Sequence, residues 1–409
     1  MSARVPPAPL PLVEAQSRLL ALAEPLPIER VDPASALGRY LAEPLAARRT
    51  HPPADQSAMD GYAVLASDLE GPWRVVGESA AGHPFDGTIG PGQAIRVSTG
   101  ALMPRGAGSV VLQEDIARDG ASVSLTGEAP IPAEKHIRRQ GLDFALGDPL
   151  LPPGARVGAA QLALAFSAGH THVSVRRRPR VAIFDNGDEL ATRPSLDSLT
   201  QIPASNGAML AAMAASLPVE VERLGPIADS PQAIAKGLAL AEGCDLLVTS
   251  GGASVGDHDL IRPGLEAWGA TIDFWRIAIK PGKPLLVATR ERPHGRQLIL
   301  GLPGNPVSSH VTAFLFMLPL LRALSGASSA LPIPLTARLG APLRAIGSRQ
   351  EFLRGQWNGN EVMPQPIQDS GALTPLAASN VLIERPPGAP ALAAGADVPI
   401  YLLENGGIA

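Results

Sequence analysis

Between residues 180 and 325 short apolar runs alternate with helical segments, and this alternation constrains the fold more than any other feature of the chain. "VAIF" at 181–184 predicts a strand, and "SNGAMLAAMAASL" from Ser205 a helix with a serine at its cap. "VEVERL" predicts a second strand. Ser230 and Pro231 then form a cap-and-first-turn pair opening "QAIAKGLALAE", which Gly243 stops. "DLLVTS" predicts a third strand, "LIRPGLEAWG" a broken helix, and "QLILGLPGNP" a strand running into another helix. Such an order implies a doubly wound α/β domain, a parallel sheet with helices on both faces. Ligands of these sheets sit at the carboxyl ends of strands, where every Gly-rich segment of this region falls.

The flanks have a different texture. "LVEAQSRLLALAE" and "DPASALGRYLAEPL" predict helices within residues 11–47, and "AAQLALAFSA" at 159–168 another. Residues 48–145 hold short β-like runs separated by Gly, Pro and Asp, which predicts a small β-rich module. The basic run "RRRPR" at 176–180 reads as a solvated boundary, and the chain beyond 330 as a short-stranded β domain. The expected organisation is a helical segment 1–47 packing with 146–178, a β-rich module 48–145, an α/β domain 179–326 and a C-terminal β domain 327–409. Glycine and proline, 42 each, accompany disorder in some chains; here 45% of residues are hydrophobic and lie in runs between turns, so small ordered modules are expected.

Several function classes drop out. With 34 basic and 38 acidic residues, a net charge of −4, no nucleic-acid surface is expected. The single Cys244 excludes a disulfide framework and a thiolate metal cluster. The eight histidines form no HExxH, His258 reads as a loop residue, and no GxSxG elbow supports serine hydrolysis. "VTAFLFMLPLL" is too short for a membrane span and contains proline, and the N-terminus has no signal-peptide pattern. A cytoplasmic protein without a membrane partner is expected.

The chemistry concentrates at three strand-end loops, "FDNGDEL" (184–190), "TSGGASVGDHD" (249–259) and "GLPGNPVSS" (301–309). None is a Walker A loop or a GxGxxG fingerprint, yet each sets backbone N–H groups where they can face an anion. Gly251, Gly252, Ser254, Pro303, Gly304 and Asn305 are the candidate substrate-binding residues. Glu189, Asp257 and Asp259 are carboxylates on the same loops, and carboxylates repel phosphate. A shared Mg²⁺ between carboxylate and phosphate resolves that conflict, since Mg²⁺ takes hard oxygen ligands from both. Asp259 also fits a helix cap, and both readings stand. In "IKPGKPLLVA" (279–288) Lys280 and Lys283 flank a Pro-Gly turn, an arrangement suited to neutralising a leaving phosphate or an oxyanion, or simply to an exposed hairpin. "DQSAMDGYAV" (55–64) carries the Asp-Gly hairpin signal, whose tip would present Asp60 outward. Thr99 and Gly100 lie at another strand exit, and Asp143 follows two arginines in "RRQGLDF" (138–144).

Seven blocks in order, "DQSAMDGYAV", "STGALMPRGAGSVVLQED", "RRQGLDF", "NGDEL", "TSGGASVGDHD", "KPGKP" and "GLPGNPVSS", resemble the molybdopterin molybdenumtransferases, the MoeA-type enzymes of molybdenum cofactor synthesis. The last four are similar also to single-domain molybdopterin adenylyltransferases; the first three separate the two. The resemblance implies an elongated homodimer of four-domain subunits with a molybdopterin-binding α/β domain. Its active site is implied to form across the interface, the β module of one subunit facing the α/β domain of the other. It implies Mg²⁺-dependent insertion of molybdate into adenylylated molybdopterin with release of AMP. Molybdopterin adenylyltransferase and molybdoenzymes are further implied partners. Asp60, Thr99, Asp143, Glu189, Lys280 and Lys283 match the family's catalytic positions. Glu189, Asp229, Asp257 and Asp259 are the implied metal ligands, and Arg354, Ser370 and Ser379 are candidates for contacting molybdate. The chain departs from the family at Asp185-Asn186, where a hydroxyl pair is usual, and at Asp257, where Glu is common. Two alternatives remain, adenylyl transfer onto molybdopterin and a non-catalytic molybdopterin-binding scaffold.

Overall fold

The computed structural model describes residues 8–403 apart from 194, 196, 197, 252–259 and 294. At its centre is a six-stranded sheet whose strands stand in the spatial order Glu220–Arg223, Arg180–Asp185, Leu246–Ser250, Gln297–Leu302, Pro284–Arg290, Thr271–Arg276. The first four are parallel, and every residue of Leu246–Ser250 and Gln297–Leu302 is buried, as strands covered on both faces must be. Pro284–Arg290 runs antiparallel to both neighbours, so the sheet is mixed rather than wholly parallel. The links 277–283 and 291–296 are too short for a crossover, which needs about a dozen residues.

A helix from Pro306 to Leu324 crosses the core beneath this sheet. It is long and apolar enough to cross a membrane by length and composition, but 89% of its apolar window is buried inside the protein, so it serves as the core helix. It tolerates Pro319 through a π-helical turn at Ala313–Met317. A regular α-helix would pair the Leu315 carbonyl with the N–H that Pro319 lacks. That carbonyl accepts a 2.9 Å bond from Gln16 Nε2 instead. Gln16 sits on the helix Leu12–Ala21, whose Leu12, Ala15 and Leu19 join the same core. The first helix therefore packs on the α/β domain, not on residues 146–178.

What does pair with 146–178 is extended chain. Ile28–Val31 lies antiparallel to Val173–Arg176, and Leu45–Ala46 to Pro149–Leu151. The helix expected from "DPASALGRYLAEPL" is only a 3₁₀ turn, Pro33–Ala36, capped where Ala34 N–H donates to Asp32 Oδ1 at 2.9 Å. Leu37 then turns extended, and Leu41 bridges to Val175. The 176–180 run is also no solvated linker. Arg177 grips Asp245 with two bonds of 2.9 and 3.0 Å, and Arg176 Nη1 donates to the Leu26 carbonyl. Arg177 thereby fastens this domain to the start of the strand Leu246–Ser250.

The 48–145 module is a six-stranded sheet with a two-stranded ribbon pairing Gln56–Ser57 and Ile137–Arg138. Asp60-Gly61 is not a hairpin tip, because Gly61 opens a strand paired on both sides, with Gln93–Val97 and Ser109–Leu112. A Cβ there would lie 2.1 Å from the Val111 carbonyl oxygen, so close pairing, not turn geometry, demands the glycine. In the C-terminal domain Gln350–Trp357, Glu361–Pro364, Leu335–Leu339, Asp397–Leu402 and Val381–Arg385 pair in a ring that closes into a barrel. Ile279–Lys280 adds to Gln350–Trp357 in parallel, so one short segment joins the two domains.

Candidate active site

A cavity of about 890 Å³ opens at the carboxyl ends of the parallel strands. It gathers Glu189, Asp229, Gly251, Pro303, Gly304 and Asn305, all expected from sequence. Asn206, which the sequence reading did not single out, fastens its loops: Nδ2 donates to Ser250 Oγ at 2.9 Å and to the Gly304 carbonyl at 2.6 Å. Asn206 opens the helix Asn206–Ala214; Ser205 stands at the cap position but forms no cap bond, whereas Ser230 accepts from Ala233 N–H at 3.2 Å as expected.

The floor and rim are acidic. Asp185 is buried and accepts the Gly207 N–H; burial raises its pKa, with that hydrogen bond and the charge of Arg223 opposing. Asn186, also buried, donates its amide to Asp229 Oδ1, and the Asp229 N–H donates to Asp188 Oδ1 at 2.9 Å. The Asp229 carboxyl is pushed above its usual range, first by partial desolvation and then by the charges of Asp188 and Glu189. Asp185-Asn186 thus forms part of the floor and holds Asp229.

A second cavity, about 800 Å³, lies between the sheet domain and the barrel. Lys280, Lys283, Arg344, Arg349 and Arg385 make it basic, with Glu351 and Asp369 the carboxylates among its lining residues. Pro284 lines both cavities. Between them Asn305 Nδ2 donates to Ser370 Oγ at 3.1 Å, and Val307 N–H to the Ser370 carbonyl at 3.0 Å. Arg354 and Ser379 line neither cavity. Arg354 is fully buried and donates to the Ile367 and Asp369 carbonyls, holding the loop that carries Ser370. Ser379 Oγ donates to the Pro375 carbonyl at 2.7 Å.

Asp60 and Thr99 meet in the small module. Thr99 donates its N–H at 2.7 Å and its hydroxyl at 3.1 Å to Asp60 Oδ1, holding that carboxyl below its usual range. Asp143 is exposed on the 139–144 loop, which is held through Arg139 and Gln140 to Asp55. None of these three lines either cavity of the same chain. Gly252, Ser254, Asp257, His258 and Asp259 lie outside the described residues.

The donor set fits Mg²⁺ in kind. Among the described residues no group of three or more His, Cys, Asp or Glu could hold a metal alone. Mg²⁺ bound with a phosphate commonly needs only one or two carboxylates, and Asp229 carries a carboxylate crowded by like charges that a cation would relieve.

These features define a multidomain protein in which a doubly wound α/β domain, with a cavity at its strand ends, is joined to a β module and a closed barrel. Family models match along the chain in that order: MoeA N-terminal region (domain I and II) at residues 10–169, probable molybdopterin binding domain at 182–323, and MoeA C-terminal region (domain IV) at 336–403. A molybdopterin molybdenumtransferase of Nostoc sp. is 36% identical over 92% of this chain and 88% of its own length. That of Haemophilus influenzae is 34% identical over 88% and 89%. A crystal structure of the molybdopterin biosynthesis moeA protein from Pyrococcus horikoshii OT3 superposes with a TM-score of 0.82 at 26% identity, covering 97% of this chain and 100% of that one. The chain belongs to the molybdopterin molybdenumtransferase family, enzymes of molybdenum cofactor biosynthesis.

Proposed function

We propose that this enzyme inserts molybdate into adenylylated molybdopterin in a Mg²⁺-dependent reaction that releases AMP. The observation carrying this reading is the pair of cavities that share Pro284, one rimmed by Glu189 and Asp229, the other walled by Lys280 and Lys283. A pyrophosphate ester that carries Mg²⁺ suits a carboxylate-rimmed cavity, an oxyanion without a cation suits a lysine-walled one, and the pair supplies both side by side. Glu189 and Asp229, joined on the sequence reading by Asp257 and Asp259, would hold the Mg²⁺, which when bound offsets phosphate charge. Gly251, Gly304 and Asn305 line the same cavity and orient the ester. Lys280, Lys283 and Ser370 face the second cavity, where molybdate would lie and where ammonium groups offset the charge of the oxyanion.

Asp60, Thr99 and Asp143 lie on a module with no part in either cavity of its own chain, which supports a homodimer in which they approach the partner subunit's cavities. The reading is tested by incubating the protein with adenylylated molybdopterin and following AMP by chromatography. AMP is expected only when molybdate and Mg²⁺ are both present. AMP release indifferent to molybdate, or consumption of ATP with free molybdopterin, would overturn it.

A further inference from the structure

We propose that Glu351 is a positioning residue for Lys280, a carboxylate lent by the barrel to aim a lysine of the sheet domain into the basic cavity. The inference rests on the reading that Lys280 acts in the transfer reaction. Lys280 pairs in register with Glu351 where the Ile279–Lys280 segment joins the barrel. Its Nζ donates to Glu351 Oε1 at 3.0 Å, and the second carboxylate oxygen lies 3.7 Å from Arg344 Nη2. The Glu351 side chain is 7% exposed and that of Lys280 is 42% exposed, so the anchor is buried while the ammonium reaches the cavity. Lys283, on the far side of the same turn, forms no ion pair among the described residues.

A lysine stem is flexible and spreads its charge over many rotamers. Five cations line this cavity, so an unheld Lys280 would be pushed away from its neighbours. Glu351 counters both effects, and its own place is rigid: it sits within a barrel strand, paired with Arg385 on the opposite strand. Among the described residues two of the three ammonium protons are left for a ligand. The sheet domain alone therefore does not fix the Lys280 ammonium; docking of the barrel does.

The test is a double-mutant cycle on the full-length protein, reading kcat and KM for molybdate-dependent AMP release from adenylylated molybdopterin. Glu351→Gln is expected to lower kcat roughly tenfold or more with KM changed less than about twofold, the pattern of a misplaced group that acts in the transition state. Joined to Lys280→Ala it should add little, because the two residues act as one unit. Glu351→Asp, which keeps the buried charge but draws it back by one methylene, should show the same split and the same non-additivity, and serves if the Gln variant does not fold. Multiplying losses in the double variant, or a kcat unaltered by either substitution, would overturn the proposal. Should Lys280→Ala itself leave AMP release unchanged, the role given to Lys280 fails, and the positioning role fails with it.

Discussion

At the scale of single residues the two charged centres follow different physics. Asp60 keeps its charge through donors on Thr99, so its folded-state pKa lies below the ordinary carboxylate value. Ionisation of Asp60 therefore favours the fold at and above that ordinary value, and the contribution is lost as pH falls through the lowered one. Thr99→Val keeps the backbone donor and removes the hydroxyl. The Asp60 titration midpoint, read from carboxyl carbon shifts by NMR, should rise part of the way back; an unmoved midpoint would show that the hydroxyl does not matter. On the proposed reading Lys280 instead faces an anion whose charge changes during reaction. Lys280→Ala should cut kcat by roughly 10²-fold or more while substrate binding weakens only slightly, because the benefit is confined to the transition state. Equal loss in both would refute that role.

At the scale of elements the 280–283 turn is the sensitive part. Gly282 has φ of +107°, and a Cβ there would lie 2.5 Å from Thr312 Cγ2 of the core helix. Gly282→Ala should cost about 1–2 kcal/mol from the backbone alone, more with the clash, and should lower the melting temperature by several degrees. Activity should fall further than stability explains, since the turn carries both lysines; a melting temperature equal to that of the unchanged protein would contradict the strain. The fold was legible where local pattern decides it: doubly covered strands read as continuous apolar runs, and Ser230-Pro231 opens its helix as expected. Pattern failed where distant partners decide. Residues 37–46 looked helical but pair with strands over 100 residues away, and the antiparallel strand Pro284–Arg290 looks like any buried strand. The same limit applied to the site. Loop carboxylates and glycines were visible, whereas Asn206 and Glu351 were not, because their roles lie in bonds to residues 44 and 71 positions away.

At the scale of the whole molecule the question is where Asp60, Thr99 and Asp143 act, since neither cavity of their own chain contains them. If two subunits complete each other's sites, Asp60 of one subunit and Glu189 of the other belong to one reaction centre. Asp60→Ala and Glu189→Ala should each abolish activity in a homodimer. In a mixed dimer one centre carries both substitutions and the other carries neither, so one intact centre returns. Random exchange of subunits in an equal mixture makes about half the dimers mixed, so roughly a quarter of the normal rate of AMP release should reappear. A centre built within one chain gives the opposite result, because every chain in the mixture then carries one lesion and no combination restores activity. Light scattering on the same sample separates the cases further: recovered activity must rise with the dimer fraction and vanish on dilution to monomers. A mixture that stays inactive although subunits exchange would place the whole reaction within one chain.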